Sequence, residues 1–331
     1  MPAEAQTRDA IIIGGGMAGL SAGIYLGRAL RNTLIIDNDK SMAQAEPEVQ
    51  NYLGFPDAIS GKDLLKRGRE QAERFNVDLI EDEVVDASIG KGGRFHLRGR
   101  RNSYFTKKVL LATGIFHIPP DIPGVKECLG NSLFFCKDCD GYRVQKKKIA
   151  IYGSNNETVC YAMGMLLFSS TIIVVTDSHE IQWDKQHAKW LKEYAIPVFT
   201  QPIVRFDHKN REIQSITFED RTCVDIEVIF TTRGDIYYNK LARSLGAKVS
   251  KRGEVVVDAD QRTSVAGLYA AGCITPANCQ LIIAGGQGAI AAQAINKDLL
   301  EEDLRDHRLR GLRTAQLQTE QTVPAISTDR R

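Results

Sequence analysis

The segment FFCKDCDGY, residues 134–142, places Cys136 and Cys139 two residues apart and follows them directly with Asp140. Cysteines at that spacing can close a small disulfide, and position and neighbours lower the thiolate pKa enough for exchange with other thiols and disulfides. Half of a zinc site is the other chemistry the spacing allows. Zinc wants four ligands, and no second close Cys or His pair has the usual spacing, so a redox disulfide leads and no metal is expected. The other cysteines, Cys128, Cys160, Cys223, Cys273 and Cys279, read as buried small residues or isolated thiols.

A second chemistry is written near the N-terminus. An apolar strand, Ala10 to Ile13, runs into Gly14-x-Gly16-x-x-Gly19, then a helix, and Asp37 closes the next strand, TLIID. Gly14 permits the tight turn, Gly16 lets the backbone approach a pyrophosphate, and Gly19 allows the helix to pack closely on the strand. With Met17 and Ala18 between the last two glycines, the helix start faces phosphates with free N–H groups and a partial positive charge. Asp37 is placed to take the adenosine ribose hydroxyls.

The elements that must position these residues alternate as short strands and helices separated by Gly, Pro and Asn, which implies a mixed α/β chain with two related nucleotide folds. At 331 residues there is room for two domains, each with its own core. The 43% hydrophobic content and 43 Lys+Arg against 41 Asp+Glu, net +2, describe a globular protein with no global pull towards nucleic acid or membrane. The start MPAEAQTRD lacks the apolar core of a signal peptide, and seven cysteines with only one close pair fit a reducing compartment, so the expected location is the cytoplasm. After about Leu300 apolar periodicity is lost, and a polar tail is expected, helical at first and then loose.

Two further segments decide which dinucleotide is meant. KKVLLATGIFHIPPDIPG (107–124) is a strand ending in Ala112-Thr113-Gly114 and a proline-rich crossing; TSVAGLYAAGCITPANCQLIIAGGQGAIAAQAI (263–295) is a strand followed by a glycine-punctuated helix. With the first motif these resemble the three blocks of the two-dinucleotide-binding-domain flavoproteins, where the nucleotide is FAD. The added Cys-x-x-Cys-Asp-Gly resembles the low-molecular-weight thioredoxin reductase family over about residues 9 to 300, including VQNYLGFPDAISGKDLL (49–65), similar to the family's flavin-flanking loop with Asn51.

The resemblance implies two Rossmann-like dinucleotide-binding domains: a discontinuous FAD domain, 9–120 and 240–300, and an inserted disulfide-bearing lobe, 121–239. Tails are then 1–8 and 301–331. It implies that Cys139 attacks flavin C4a, that Cys136 exchanges with a partner, and that Asp140 shuttles a proton to the leaving thiolate. Gly272, Cys273 and Gln280 fall in the last flavin block, where the helix starting near Gln280 points its dipole at flavin N1 and C2=O. Two positions depart from the family: Cys273 stands where an acid follows the glycine, and Cys279 where arginine precedes Gln280.

A third departure is larger. IAIYGSNNETVCYA (149–162) keeps the scaffold of a second dinucleotide turn but reads Gly153-Ser154-Asn155-Asn156-Glu157-Thr158 where the family has Gly-x-Gly-x-x-Ala. Asn155 replaces the bare backbone, Glu157 adds negative charge, and VVTDSHEIQW (174–183) carries Asp177 and lacks the arginines that would read a 2′-phosphate. This argues against NADPH, with Asp177 left as an acid for the ribose diol of NADH.

Within the family the chain therefore looks most like NADPH-independent branches, first the cyanobacterial diflavin-linked disulfide oxidoreductases, then the ferredoxin-dependent flavin thioredoxin reductases. The first implies a second FAD in place of NADPH, with Tyr52 or Phe55 as supports. Alternatives are a small-molecule dithiol oxidase, similar to the enzymes that close dithiolopyrrolone or epidithiodiketopiperazine disulfides, and a non-catalytic flavin redox sensor. Expected partners are a dithiol or disulfide substrate and a second copy of the chain, with no nucleic acid. Contact with an acidic electron-transfer protein such as ferredoxin, or with a membrane surface, would use the basic stretches 98–108 and 146–148, which read first as solvated hairpin charge. Trp183 and Trp190, seven apart on an expected helix, read as core packing, and His117 in the crossing is given no catalytic role.

Overall fold

The computed structural model describes residues 7–322, with side chains as far as 316. The apolar run of the first strand, β1 (Arg8–Ile13), is buried from Ala10 onward, and β2 (Thr33–Asp37) is buried throughout. Strands this uniformly apolar are covered on both faces, as in a parallel sheet. Helix α1 (Met17–Arg28) connects them, and α2 (Gly61–Glu73) leads to β3 (Asp78–Glu81). β4 (Val84–Ile89), β5 (Phe95–Gly99) and β6 (Ser103–Leu111) form an antiparallel extension whose last strand lies parallel to β1, giving the order β3-β2-β1-β6-β5-β4.

The chain then crosses through β7 (Ile115–His117) to a second sheet. There β8 (Leu133–Phe134) precedes the short helix α3 (Lys137–Asp140), β9 (Ile149–Tyr152) precedes α4 (Asn156–Met165), and β10 (Ile172–Val175) precedes α5 (Lys185–Glu193). With β11 (Val198–Phe199), a three-stranded flap of β12 (Ile203–Lys209), β13 (Glu212–Phe218) and β14 (Cys223–Asp225), and the returning β15 (Val228–Thr231), the second sheet has the order β11-β10-β9-β15-β8. β16 (Asp235–Tyr237) pairs antiparallel with β7, so outgoing and returning crossings are tied together. After α6 (Lys240–Ser244), β17 (Leu268–Ala270) adds to the first sheet beside β6, and α7 (Leu281–Arg305) and α8 (Arg308–Thr322) follow.

Each main sheet is covered by apolar clusters on both faces. On one face of the first, α7 lies so close to α1 that a Cβ on Gly288 would run into the backbone carbonyl of Ala18. Packed helix continues past Leu300, where Asp303 in the last turn of α7 is buried and pairs with Arg31 at 2.5 Å. Residues 1–6 and 323–331 of the expected tails lie outside the described residues. Trp183 precedes α5, and both tryptophans pack partly buried against the second lobe's core. The basic stretches are laced with ion pairs, Arg100 with Glu83 at 3.0 Å, Lys107 with Asp9 at 2.6 Å and Lys147 with Glu227 at 2.8 Å. Among the described residues no helix is long and apolar enough to cross a membrane.

Candidate active site

The tight turn after β1 is built by sterics. Gly14 sits at φ +110°, and a Cβ there would run into the carbonyl oxygen of Ala112, whose N–H donates to Ile13 at 2.9 Å. Gly16 is the N-cap of α1, with no side-chain cap and no acidic residue in the first turn, so the helix start keeps its N–H groups for a ligand. These groups open on a cavity of about 590 Å³ that runs from the glycine turn to the Cys136–Cys139 disulfide. Every residue assigned from the sequence to the disulfide or to the FAD site lines it except Gly19, which serves packing: its Cβ would strike the Gly14 carbonyl. Asp37 is buried at the end of β2 with Oδ2 accepting from Arg69 at 2.6 Å. Thr113 Oγ1 donates to the Tyr238 carbonyl at 2.9 Å, and Gly272 N–H to Gln287 Oε1 at 2.8 Å. A turn with no room for a Cβ at Gly14 or Gly15, an uncapped helix start and a buried acid at the next strand end together fit a dinucleotide.

At the other end, Cys136 is the N-cap of α3 and its Sγ accepts from Cys139 N–H at 3.1 Å. Gln280, the N-cap of α7, reaches across with Nε2 at 3.3 Å from each sulfur, and its Oε1 accepts from Asn51 Nδ2 at 3.1 Å. Asn51, Gln280 and the disulfide thus form one connected row from three distant segments.

Asp140 is buried, and burial pushes its carboxyl up to about 7, with Glu46 adding to the rise; the Arg143 ion pair at 2.8 Å offsets this only in part. A carboxyl that titrates near neutrality beside a disulfide can give and take protons there. His117, passed over in the sequence, faces the same cavity, with Nδ1 at 2.6 Å from Asp235 and its ring stacked on Phe135 at 4.8 Å. Glu46, Arg143 and His117 are therefore additions to the site. Arg143 had a signal, three residues after Asp140; Glu46 had none.

Cys273 and Cys279 are not isolated thiols. They form a second disulfide, with Cα atoms 4.9 Å apart, and both line the cavity. The loop they close leads straight into Gln280. The sequence reading missed the pair because six residues of separation matches no familiar spacing and the bend that unites them is set by the turn at 272–275.

The second turn differs from the first in the feature that matters for phosphate. Asn155 caps α4, its side chain accepting from Thr158 N–H at 3.1 Å while Thr158 Oγ1 accepts from Asn155 N–H at 3.2 Å. This reciprocal capping box occupies donors that α1 leaves free, and Glu157 adds a carboxylate to the first turn. Asp177 is also spoken for: it accepts from Tyr152 OH at 2.8 Å and Ile203 N–H at 2.7 Å. The expectation that Asp177 offers a ribose site is thereby corrected, since its carboxylate is turned into its own lobe. Tyr52 and Phe55 pack on each other, ring centroids 6.1 Å apart, in a small cluster with Val49, Ile59 and Leu64. That packing gives no support to their expected role under a second flavin.

The family model described as pyridine nucleotide-disulphide oxidoreductase matches residues 8–294. The chain is 28% identical over 316 residues to a thioredoxin reductase of Bacillus subtilis, covering 91% of this chain and 98% of the relative. The crystal structure of HlmI is similar with a TM-score of 0.86 at 25% identity, covering 93% of this chain and 98% of that one. A thioredoxin reductase structure from Streptococcus pyogenes, at 23% identity and a TM-score of 0.84 over 89% of this chain and 99% of the other, shows the same fold.

Proposed function

The chain belongs to the pyridine nucleotide-disulphide oxidoreductase family, and from that premise we propose that it exchanges electrons between FAD and thiol substrates through Cys136 and Cys139 without using NADPH. The observation that carries this reading is the contrast between the two helix starts: α1 is uncapped over the cavity, while α4 is closed by the Asn155–Thr158 box with Glu157 beside it.

Gly14, Gly16 and the first turn of α1 would hold the pyrophosphate, Asp37 the ribose, and the 112–114 and 272–280 segments the rest of FAD. FAD bound there supplies a two-electron acceptor and donor. The residues of the chain supply the remainder. Gln280 holds the disulfide against the Asn51 wall through hydrogen bonds to both sulfurs. When a substrate thiolate attacks Cys136, Asp140 provides the proton for the thiolate that leaves, which its titration near 7 suits. Phe135, stacked on His117, lines the same cavity.

Within the family we assign the chain to the atypical, NADPH-independent branch on its closed second turn, with one FAD per chain and the homodimeric habit of the family it resembles. The relatives' name supports a thioredoxin-like protein dithiol as the substrate class. The test is anaerobic stopped-flow on purified protein. A dithiol bleaches the flavin, the Cys136→Ser and Cys139→Ser variants keep FAD but lose the response, and NADPH below millimolar concentration has no rapid effect. Wild-type rates in both variants refute the role of the pair, and fast bleaching by NADPH refutes the branch. Extracted flavin at two per chain would instead establish the diflavin form.

A further inference from the structure

We propose that the Cys273–Cys279 disulfide is a second redox couple of the same cavity, which takes the two electrons of the reduced Cys136/Cys139 pair by thiol–disulfide exchange. This rests on reading Cys136–Cys139 as a redox pair. Cys273 and Cys279 are each only part-buried and both line the cavity that the first pair faces. Cys279 directly precedes Gln280, whose amide nitrogen lies 3.3 Å from each sulfur of the first pair. The residue that contacts the first pair is therefore the chain neighbour of the second.

A structural staple is poorly motivated here. The loop is already fixed by Thr275, whose N–H and Oγ1 donate to the Gly272 carbonyl at 2.9 and 2.8 Å, and by Gln287 holding Gly272 N–H at 2.8 Å. A bridge across six residues constrains the unfolded chain less than one closing a longer loop.

The exchange balances without an outside reagent. The Cys139 thiolate attacks Cys279 Sγ, the Cys273–Cys279 bond breaks, and Cys273 leaves as a thiolate that takes up a proton. The Cys136 thiolate then attacks Cys139 in the mixed disulfide and expels Cys279, which is protonated in turn. One disulfide has formed and one has broken, with two electrons and two protons passed from the first pair to the second.

Flavin-loaded protein carrying Cys136→Ser strands the first step, so non-reducing digestion and mass spectrometry should find the Cys139 peptide linked to that of Cys273 or Cys279. With limiting dithiothreitol followed by acid quench and alkylation, wild type should carry label on both pairs, and the Cys136→Ser/Cys139→Ser variant should open Cys273–Cys279 at least about tenfold more slowly. A Cys273–Cys279 pair that stays oxidised while Cys136 and Cys139 are fully labelled overturns the proposal, as does equal opening in the double variant. Resistance of Cys136–Cys139 itself to the dithiol overturns the underlying redox reading, and is seen as absent label on that pair.

Discussion

Gln280 Nε2 lies 3.3 Å from Cys139 Sγ across 141 residues of sequence. The contact joins the start of α7 in one lobe to α3 in the other, so the disulfide is held by a residue outside its own lobe. A neutral hydrogen bond of this kind contributes about 1 kcal/mol, or roughly fivefold. Gln280→Ala should therefore slow dithiol reduction of the flavin by about fivefold, measured per bound FAD; a rate equal to wild type in stopped-flow would remove Gln280 from the positioning row.

Asp140 should set a pH dependence. Its folded carboxyl ionises at about 7 against 3.8 for an ordinary one. Between those values the unfolded chain loses a proton that the folded chain keeps, so this group's stability contribution is full below pH 3.8 and is lost as pH rises through about 7. The stability difference between Asp140→Asn and wild type should shift by up to about 1.4 kcal/mol per pH unit across that window, in favour of the variant as pH rises. Urea titrations at a series of pH values measure it, and parallel curves would contradict the raised pKa.

Asn155→Ala removes one half of the capping box on α4. Loss of such a cap costs about 1 kcal/mol, which in a chain of this size lowers Tm by a few degrees. Calorimetry checks this, and Thr158→Ala should fall in the same direction. No loss in either variant would mean that the closed helix start is not held by the box.

Denatured protein should show three free thiols before reduction and seven after, given two disulfides and free Cys128, Cys160 and Cys223. In the folded chain Cys128 is buried, which pushes its thiol up, so it should label only on unfolding. Cys160 should label before Cys223, since its Sγ lies 3.5 Å from His187 Nε2 and the opposite ring nitrogen is held by Asp184 at 2.8 Å. His187→Gln should abolish that lead in a timed alkylation experiment.

The sequence alone determined the glycine turn, the uncapped helix, the acid at the strand end and the Cys-x-x-Cys segment. Each is enforced within a few residues, by the room a turn leaves for a Cβ, by the donors a helix start exposes, or by the reach of two neighbouring cysteines. It also singled out Asn155 and Glu157, whose place at the start of α4 is equally local, since a capping box spans four residues. What it could not decide was where side chains aim once distant strands meet. Asp177 is identical on paper to a ribose-binding acid, yet Tyr152 on β9 and Ile203 at the start of β12 claim both of its oxygens. Cys273 and Cys279 read as two unrelated thiols until a turn brought their Cα atoms to 4.9 Å. The approach of Gln280 to the first disulfide joins segments 141 residues apart, and the burial that raises Asp140 likewise comes from the packing around it. Those distances follow from the packing of whole sheets, to which hundreds of residues contribute and which no short stretch of sequence encodes.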